Sequence, residues 1–308
     1  MRKFKKLACL AKIETVYGTD SVPLAANAIQ LSDVTLTPLA GEDVSRDLLL
    51  PHLGHQGIEL TGNYMQLEFA VECAGAGSAG DVPGYGVLLR ACGLSETIDP
   101  GVSVVYEPVS DGEEAVSIYY HHDGVRHVAL GCRGTFQVEF APRRIPRFRF
   151  NIMGLLGTVT DQALPSADLS AFQKPVPVSK AQTSLSLHGA PRIAESISID
   201  LGNAVEPRFL IGDERMQLTD RQSIGTAVVE AKSMAAINWF DVAQAKTLDA
   251  LQVVHGTAAG HIVQVDAPKV QIGRPSQGQS QNQNILNYSL PLMFVPDAGD
   301  DELVITVK

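Results

Sequence analysis

Apolar and polar residues alternate with a period of two along much of this sequence, and this pattern restricts the possible folds more than any other feature. It is clearest in residues 65–72, where Met65, Leu67, Phe69 and Val71 are separated by polar or small residues. Because successive side chains of a β-strand point to opposite faces of the sheet, such alternation is typical of half-buried antiparallel strands. We therefore predict a mainly β protein.

The predicted strands occur in the same order in both halves of the chain. In the first half, a strand that ends at Pro38 is followed by a long connection at residues 41–57, a second strand and a short helix. We predict that Asp81 caps this helix, that residues 87–92 form its body and that Gly93 stops it. Further strands complete the half.

The second half repeats this order with little side-chain identity. A strand at residues 196–201 precedes a long connection at residues 202–223, and Asn238 is placed to cap a helix that runs through Leu251. The later predicted elements are strands at residues 261–266 and 269–272, a loop rich in Gln, Asn and Ser at residues 276–284, and a strand around residues 286–290.

This repeat predicts two tandem domains. Residues 162–180 contain three prolines and little periodicity, as expected of a linker. The predicted organisation is a first domain with an N-terminal arm at residues 1–161, the linker at residues 162–180 and a second domain at residues 181–308, each domain with one short α-helix.

Composition excludes several classes of protein. The chain has 24 Lys and Arg against 34 Asp and Glu, so its formal net charge is −10, and 45% of its residues are hydrophobic. The hydrophobic content excludes a disordered chain. The negative charge argues against a protein that grips nucleic acid, because that binding depends on Lys and Arg at phosphates. No apolar stretch approaches the roughly 18 residues of a membrane-spanning helix, so no membrane contact is expected.

Two candidate sites are better explained as structural features. Residues 75–80 fit the pattern GxGxxG, but Asp81 adds negative charge where a phosphate would lie, which favours a flexible turn over a dinucleotide site. His121, His122 and His127 crowd a predicted Asp-Gly hairpin without a second ligand pair at a zinc spacing. The four cysteines form neither a disulfide framework nor a CxxC pair, so reduced thiols are expected. We predict no cofactor and no metal.

Arg147 and Arg149 alternate with Phe148 and Phe150 in the basic, aromatic part of the sequence. The alternation places both arginines on one face of a strand, and we favour contact with acidic patches on a neighbouring copy over contact with nucleic acid. The sequence contains no Ser-His-Asp nucleophile elbow, no P-loop and no HExxH, so an enzyme is not expected.

Both long connections carry large apolar residues where loops normally carry polar ones. Exposed apolar patches mark interaction sites. Their presence in both halves favours an assembly interface over loops that fold back onto their own core. With the two arginines, the predicted inter-subunit residues are Leu48, Leu49, Leu50, Leu53, Arg147, Arg149, Phe209, Leu210 and Ile211.

Three features together resemble the major tail tube proteins of long-tailed, siphovirus-like bacteriophages. They are the opening Ile13-Glu-Thr-Val-Tyr-Gly-Thr-Asp20, an acidic-faced strand before a short helix, and the segment Phe136-Gln-Val-Glu-Phe-Ala-Pro142. The resemblance implies β-sandwich or barrel domains flanked by a helix, and no catalytic residues. It also implies rings of subunits that stack into a hollow tail tube, through which genomic DNA passes without specific binding.

The resemblance further implies a place in the virion tail, assembly in the host cytoplasm, and contacts with tape measure, tail terminator and distal tail proteins. Many such proteins have one tube domain and form six-membered rings. Two domains per chain instead predict a ring of three chains with pseudo-sixfold symmetry. The first alternative function is another ring component of the tail, such as a tail terminator or tail-tip ring protein. The second alternative is a nicotinamide-dependent enzyme.

A polar sheet face would suit the inner wall of such a tube, because carboxylates repel the phosphates of passing DNA. Strand alternation places one set of polar residues opposite the core-facing residues. These predicted lumen-lining residues are Thr35, Thr37, Gln66, Glu68, Glu72, Gln137, Glu139, Ser196, Ser198, Asp200, Glu230, Asn287 and Ser289.

Overall fold

Strands account for 53% of the structure and helices for 5%, which confirms the predicted mainly β fold. The computed structural model of the chain describes residues 2–280 and 284–308. In the first half the elements are β1 (Leu7–Ile13), a 3-10 turn (Ala25–Asn27), β2 (Ala28–Ile29), β3 (Ser32–Ser45), β4 (Ile58–Glu72), α1 (Gly86–Ala91), β5 (Leu94–Asp99), β6 (Ser103–Pro108), β7 (Val116–His122), β8 (Val125–Phe140) and β9 (Arg147–Asp161). In the second half they are β10 (Thr183–Leu187), β11 (Ala190–Pro191), β12 (Ala194–Asp200), β13 (Asn203–Leu210), β14 (Asp213–Arg221), β15 (Ile224–Glu230), α2 (Trp239–Ala245), β16 (Leu248–His255), β17 (Val263–Ile272), β18 (Ser276–Gln279), β19 (Leu286–Val295) and β20 (Val304–Val307).

The strands pair in the same order in both halves. The first half pairs β1, β7, β8, β9, β4 and β3 as successive antiparallel neighbours. The second half pairs β10, β16, β17, β19, β15 and β12 in the same way. Within the described residues, two strand pairings join the halves, because β8 pairs with β12 and β6 pairs with β20. The larger of the two buried apolar clusters in the described residues extends through both halves.

The two long connections contain strands that the sequence prediction lacks: the first is strand only up to Ser45, and the second is largely strand. β3 continues through Pro38 to Ser45, and this is tolerated because Pro38 lies in an edge strand where a missing N–H costs no ladder hydrogen bond. The first connection is therefore a short loop at residues 46–57. Residues 202–223 form the β13–β14 hairpin, a separate two-stranded sheet.

Both short helices are present, with corrected ends. α1 begins at Gly86 and has no side-chain cap, so the prediction that Asp81 caps it is wrong. The residues between Asp81 and Gly86 form turns instead, and these turns bury the Tyr85 ring. Gly93 follows α1 with a φ of 74°, as predicted for a stop. Asn238 caps α2 as predicted, since its side chain accepts hydrogen bonds from two backbone N–H groups of the first turn.

The remaining differences lie after α2. The helix ends at Ala245 rather than Leu251, because Lys246 takes a left-handed conformation and the following residues join the sheet as β16. Residues 263–272 form one strand instead of two. The predicted loop at residues 276–284 begins with β18, and its residues 281–283 lie outside the described part of the chain.

Candidate functional site

Eight strands form one continuous sheet that crosses from the first half of the chain to the second. They hydrogen-bond in the order β3, β4, β9, β8, β12, β15, β19 and β18, and we call them the wall sheet. In the described residues, β3 pairs only with β4 and β18 only with β19. The wall sheet therefore has one unpaired edge in each half of the chain.

One face of the wall sheet carries most of its polar side chains, beside a few apolar ones such as Met153 and Ile224. Glu139 on β8 lies opposite both Arg147 on β9 and Ser198 on β12, and Ser198 lies opposite Thr226 on β15. Side chains of directly opposed residues point to the same face. By this register, all thirteen residues predicted to line a lumen lie together on one face, which we call the polar face.

The polar face differs from the predicted set in a few residues. Asn151 lies on it between Glu68 and Thr135, and Thr226 lies on it beside Ser198. Both were absent from the predicted set, although each continues an alternation that was visible in the sequence. Asn287 is buried although it lies on this face, whereas the other twelve predicted residues are exposed or half-buried.

The charge of the polar face is negative. On the part of this face that the predicted residues span, the acidic residues are Glu68, Glu72, Glu139, Asp200 and Glu230. The basic residues there are Arg133, Arg147 and Arg149, because Arg133 lies opposite Met153, which lies opposite Gln66. Five negative and three positive charges leave a net charge of −2. The guanidinium of Arg147 lies 2.9 Å from the Asp33 carboxylate and 3.8 Å from that of Glu72. The structure thus pairs Arg147 with carboxylates of its own chain.

The opposite face of the wall sheet packs into the core. Phe69 stacks on Phe150 with ring centroids 5.5 Å apart, and Phe136 meets Phe148 edge-on at 5.6 Å. All four rings are buried. The wall sheet is therefore held on its apolar face, which leaves the polar face free for function.

Most apolar residues of both long connections lie at the tips of hairpins and are exposed, but Phe209 is only partly exposed and its ring packs over Gly62. The side chains of Leu49, Leu53 and Ile211 are fully exposed, and Leu48 and Leu50 are about half exposed. The exposed leucines and Ile211 therefore do not fold back onto their own core, whereas Phe209 packs against its own chain. Large apolar side chains held in solvent mark a surface that contacts another protein.

The 46–57 loop is held open by its own hydrogen bonds. The Gln56 side chain accepts a hydrogen bond from the backbone N–H of Leu48 at 2.8 Å and donates one to the Leu48 carbonyl. His55 accepts a hydrogen bond from the backbone N–H of Gly57. These hydrogen bonds join the two ends of the loop, and the leucine side chains between them point into solvent.

The Ile13–Asp20 motif serves the fold. The buried Glu14 carboxylate accepts hydrogen bonds from the N–H groups of Gly18 and Gly131 and from the Ser117 hydroxyl, at 2.7–2.8 Å. The Tyr17 hydroxyl accepts a hydrogen bond from the Met216 N–H at 2.6 Å. The motif thus ties the start of the chain to β8 and to the β13–β14 hairpin of the second half.

The glycine-rich residues 75–80 allow a close approach between loops. A Cβ atom on Gly75 would lie 2.2 Å from the Gly260 carbonyl oxygen, and the Gly77 N–H donates to that same oxygen at 2.8 Å. The second half of the chain therefore fills the space beside this loop where a phosphate would have to bind.

The histidine and cysteine groups show no arrangement for metal chemistry. Within residues 2–280 and 284–308, no three His, Cys, Asp or Glu side chains are grouped to hold a metal ion. Burial and the nearby Arg126 guanidinium lower the pKa of His121. The four cysteines are free and buried, and burial raises the pKa of Cys9 to about 12, so these thiols are unreactive.

A family model for phage tail tube proteins matches residues 6–291. The chain belongs to the phage tail tube protein family. This confirms the resemblance found in the sequence. No curated protein matches the chain.

Family membership makes this tail tube protein a structural component of the phage tail. The family also implies that it assembles with itself and with other tail proteins. No helix in the described part of the chain is long and apolar enough to cross a membrane.

Proposed function

We propose that three copies of this tail tube protein form a ring with pseudo-sixfold symmetry, and that rings stack into a hollow tube. The polar face lines the channel through which genomic DNA passes. The observation that carries this proposal is the pairing of β8 with β12, which joins two equivalent sets of strands edge to edge within one chain. A repeated edge contact of this kind closes into a ring when copies follow one another.

The shared pairing order supports two tandem tube domains, at residues 1–161 and 181–308, joined by the linker at residues 162–180. The linker lies against the domains rather than free in solvent. The backbone of Val178 exchanges hydrogen bonds with Arg143 and Arg144, and the Phe172 ring packs over Gly84. These contacts hold the linker against the first domain, and the Val176 carbonyl lies 3.1 Å from the His255 ring nitrogen of the second domain. The linker thus contacts both domains.

The pairing of β8 with β12 inside one chain predicts how the free wall-sheet edges of two chains pair with each other. Thr35 lies opposite Glu68 in the first half, as Ser198 lies opposite Thr226 in the second. β3 and β12 are therefore equivalent strands, with Thr35 matching Ser198 and Thr37 matching Asp200.

The same reasoning matches β18 to the end of β8. Glu139 lies opposite Arg147 in the first half, and Gly278 lies opposite Asn287 in the second. Because Ser198 and Asp200 pair with Glu139 and Gln137 inside the chain, Thr35 is expected opposite Gly278 of a second copy. Thr37 is then expected opposite Ser276 of that copy.

This contact pairs the two free edges of the wall sheet, which would otherwise be open to aggregation. Three wall sheets of eight strands each would close a barrel of about 24 strands, wider than the barrels of 16–18 strands that leave an aqueous channel. A net negative polar face inside that barrel would repel DNA and prevent it from sticking. The tube would meet tape measure, tail terminator and distal tail proteins after assembly in the host cytoplasm.

A disulfide between copies tests the ring. A chain with Thr37→Cys and Ser276→Cys has two new thiols on opposed edges, while the four native cysteines are buried. Mild oxidation should yield covalent trimers as the largest closed product on a non-reducing gel. Electron microscopy of the same sample should show tubes built from pseudo-sixfold rings.

The matched control is Thr37→Cys with Gln277→Cys, because Gln277 lies on the opposite face of β18 and the two thiols cannot meet. Covalent hexamers, or rings of twelve domains, would contradict the trimer. Single rings that never stack would favour a tail terminator or tail-tip protein instead.

A further inference from the structure

A cavity of about 420 Å³ opens between the wall sheet and the strands behind it in the second half of the chain. Phe140 and Ile197 of the wall sheet line one side, and Leu185 of β10 and Val253 of β16 line the other. These four side chains belong to the buried core. The cavity is thus an apolar opening into the core.

The mouth of the cavity combines an apolar residue with positive charge. Ile193 lines it with 59% of its side chain exposed. The charged residues that line it are Lys180 and Arg192, both basic, and Arg143 and Arg144 follow the end of β8 nearby. An apolar partner flanked by carboxylates fits this mouth.

The 46–57 loop has these properties and lies at the opposite end of the wall sheet. Glu72, the last residue of β4, lies opposite Arg147, which lies opposite Glu139 beside the cavity. β4 then runs 15 residues away from this end to the loop, a distance of about 45 Å at the usual rise of a strand.

The charge of the loop is complementary to the mouth. Residues 42–59 contain four acidic residues and one arginine, a net charge of −3. Their four leucines are exposed. Each copy therefore carries an acidic apolar tip at one end and a basic apolar cavity at the other.

We propose that this cavity receives the 46–57 loop of a second copy in the next ring, with leucine side chains inside and the acidic flanks beside Lys180 and Arg192. The inference rests on the proposed function, because it describes how the rings stack. A contact between two different surfaces is head-to-tail, and such contacts build open polymers rather than closed dimers. The cavity is then the receptor that sets the direction of the tube.

A pair of cysteines tests the contact in assembled tubes. Leu49→Cys in the loop and Ile193→Cys at the mouth should link copies of consecutive rings upon oxidation, giving covalent chains longer than one ring. The matched comparison is Ile211→Cys with Ile193→Cys, because Ile211 is as exposed as Leu49 but lies on the other hairpin.

The outcomes separate the two proposals. If microscopy shows no rings or tubes with either pair, the proposed function fails. If tubes form but the Leu49 pair does not link, or the Ile211 pair links instead, the ring-stacking tube stands and the cavity assignment is overturned.

A synthetic peptide of residues 42–59 gives a second measurement that does not need tubes. It is added to the full chain carrying Leu49→Ser and Leu53→Ser, whose own loop should not occupy the cavity. The peptide should raise the thermal midpoint of this chain, whereas a peptide with all four leucines changed to serine should not. Adding Ile193→Asp at the mouth should remove most of the shift, and an unchanged shift would overturn the proposal.

Discussion

The phenol ring of Tyr17 lies so close to Gly131 that a Cβ atom at position 131 would fall 2.6 Å from it. Gly131 also has a φ of 57°, a conformation that other residues rarely adopt. The same tyrosine hydroxyl accepts from the Met216 N–H in the second half. A glycine in β8 thus makes room for the contact that joins the opening motif to the β13–β14 hairpin.

Gly131→Ala should lower the free energy of unfolding in two ways. The left-handed backbone costs about 1–2 kcal/mol for a residue with a Cβ, and the clash with Tyr17 adds about 1–3 kcal/mol of overpacking. Gly112→Ala is the matched control, because its φ is 75° and nothing lies within 4 Å of its Cβ position. Urea unfolding of both variants measures the difference, and equal losses would show that the Tyr17 contact is not rigid.

Local patterns in the sequence were enough to predict the strands of the wall sheet other than β18, and which of their residues share the polar face. The alternation around Phe69 and Glu68 identifies both the β4 strand and the side that each residue faces, because a strand has only two faces. The cap of α2 was also local, since Asn238 needs only the next turn of backbone.

The missed elements depend on contacts between distant parts of the chain. β13 contains Pro207 and no clean alternation, and its hairpin rests on Phe209 packed over Gly62 and on the Tyr17 contact with Met216. The pairing of β8 with β12 has no local signal either. Tertiary context overrode local preference in these cases.

Stability should fall as the pH is lowered from about 7 to 5, partly because of His255. Burial lowers the pKa of His255 below its ordinary value of 6.5, and its ring is held by Thr183 and the Val176 carbonyl. Below pH 6.5 the unfolded chain therefore binds a proton that the folded chain excludes, so stability present above that pH is lost. His255→Gln should make this slope shallower.

Thermal melting across that pH range measures the effect. The slope should not vanish in His255→Gln, because burial also lowers the pKa of His121, His127 and His188. The control is His52→Gln in the exposed 46–57 loop, which should leave the slope unchanged. A His255→Gln slope equal to that of the unmodified chain would show that this histidine titrates normally in the fold.

Replacement of Leu48, Leu49 and Leu50 by serine should suppress polymerisation without lowering the melting temperature. These side chains are exposed in the single chain, so their loss costs the fold little. In an assembled tube, each large apolar side chain could contribute about 1.5–3 kcal/mol at every contact, and a ring repeats every contact.

Sedimentation measures assembly, and thermal melting measures the fold. Ile98→Ser with Val102→Ser is the matched control, because both residues are similarly exposed on the β5–β6 hairpin, outside the wall sheet. This control should polymerise normally. An early melt of the leucine variant would instead assign the leucines to the domain's own core.

Reversal of charge on the polar face should slow DNA release from phage particles. Changing Glu68, Glu139 and Asp200 to lysine alters three positions by two charge units each, and the polar face then attracts the phosphates that it repelled. Tubes should still assemble, because exposed charges contribute little to folding. Glu72 is left unchanged, because its carboxylate forms an ion pair with Arg147 at 3.8 Å. Release is measured with a DNA-binding dye, and added salt should restore part of the rate by screening the attraction.

The control changes three exposed acidic residues outside the wall sheet, Asp99, Glu107 and Asp111, to lysine. Equal slowing in the control, or normal release by the polar-face variant, would place these residues elsewhere than in the channel.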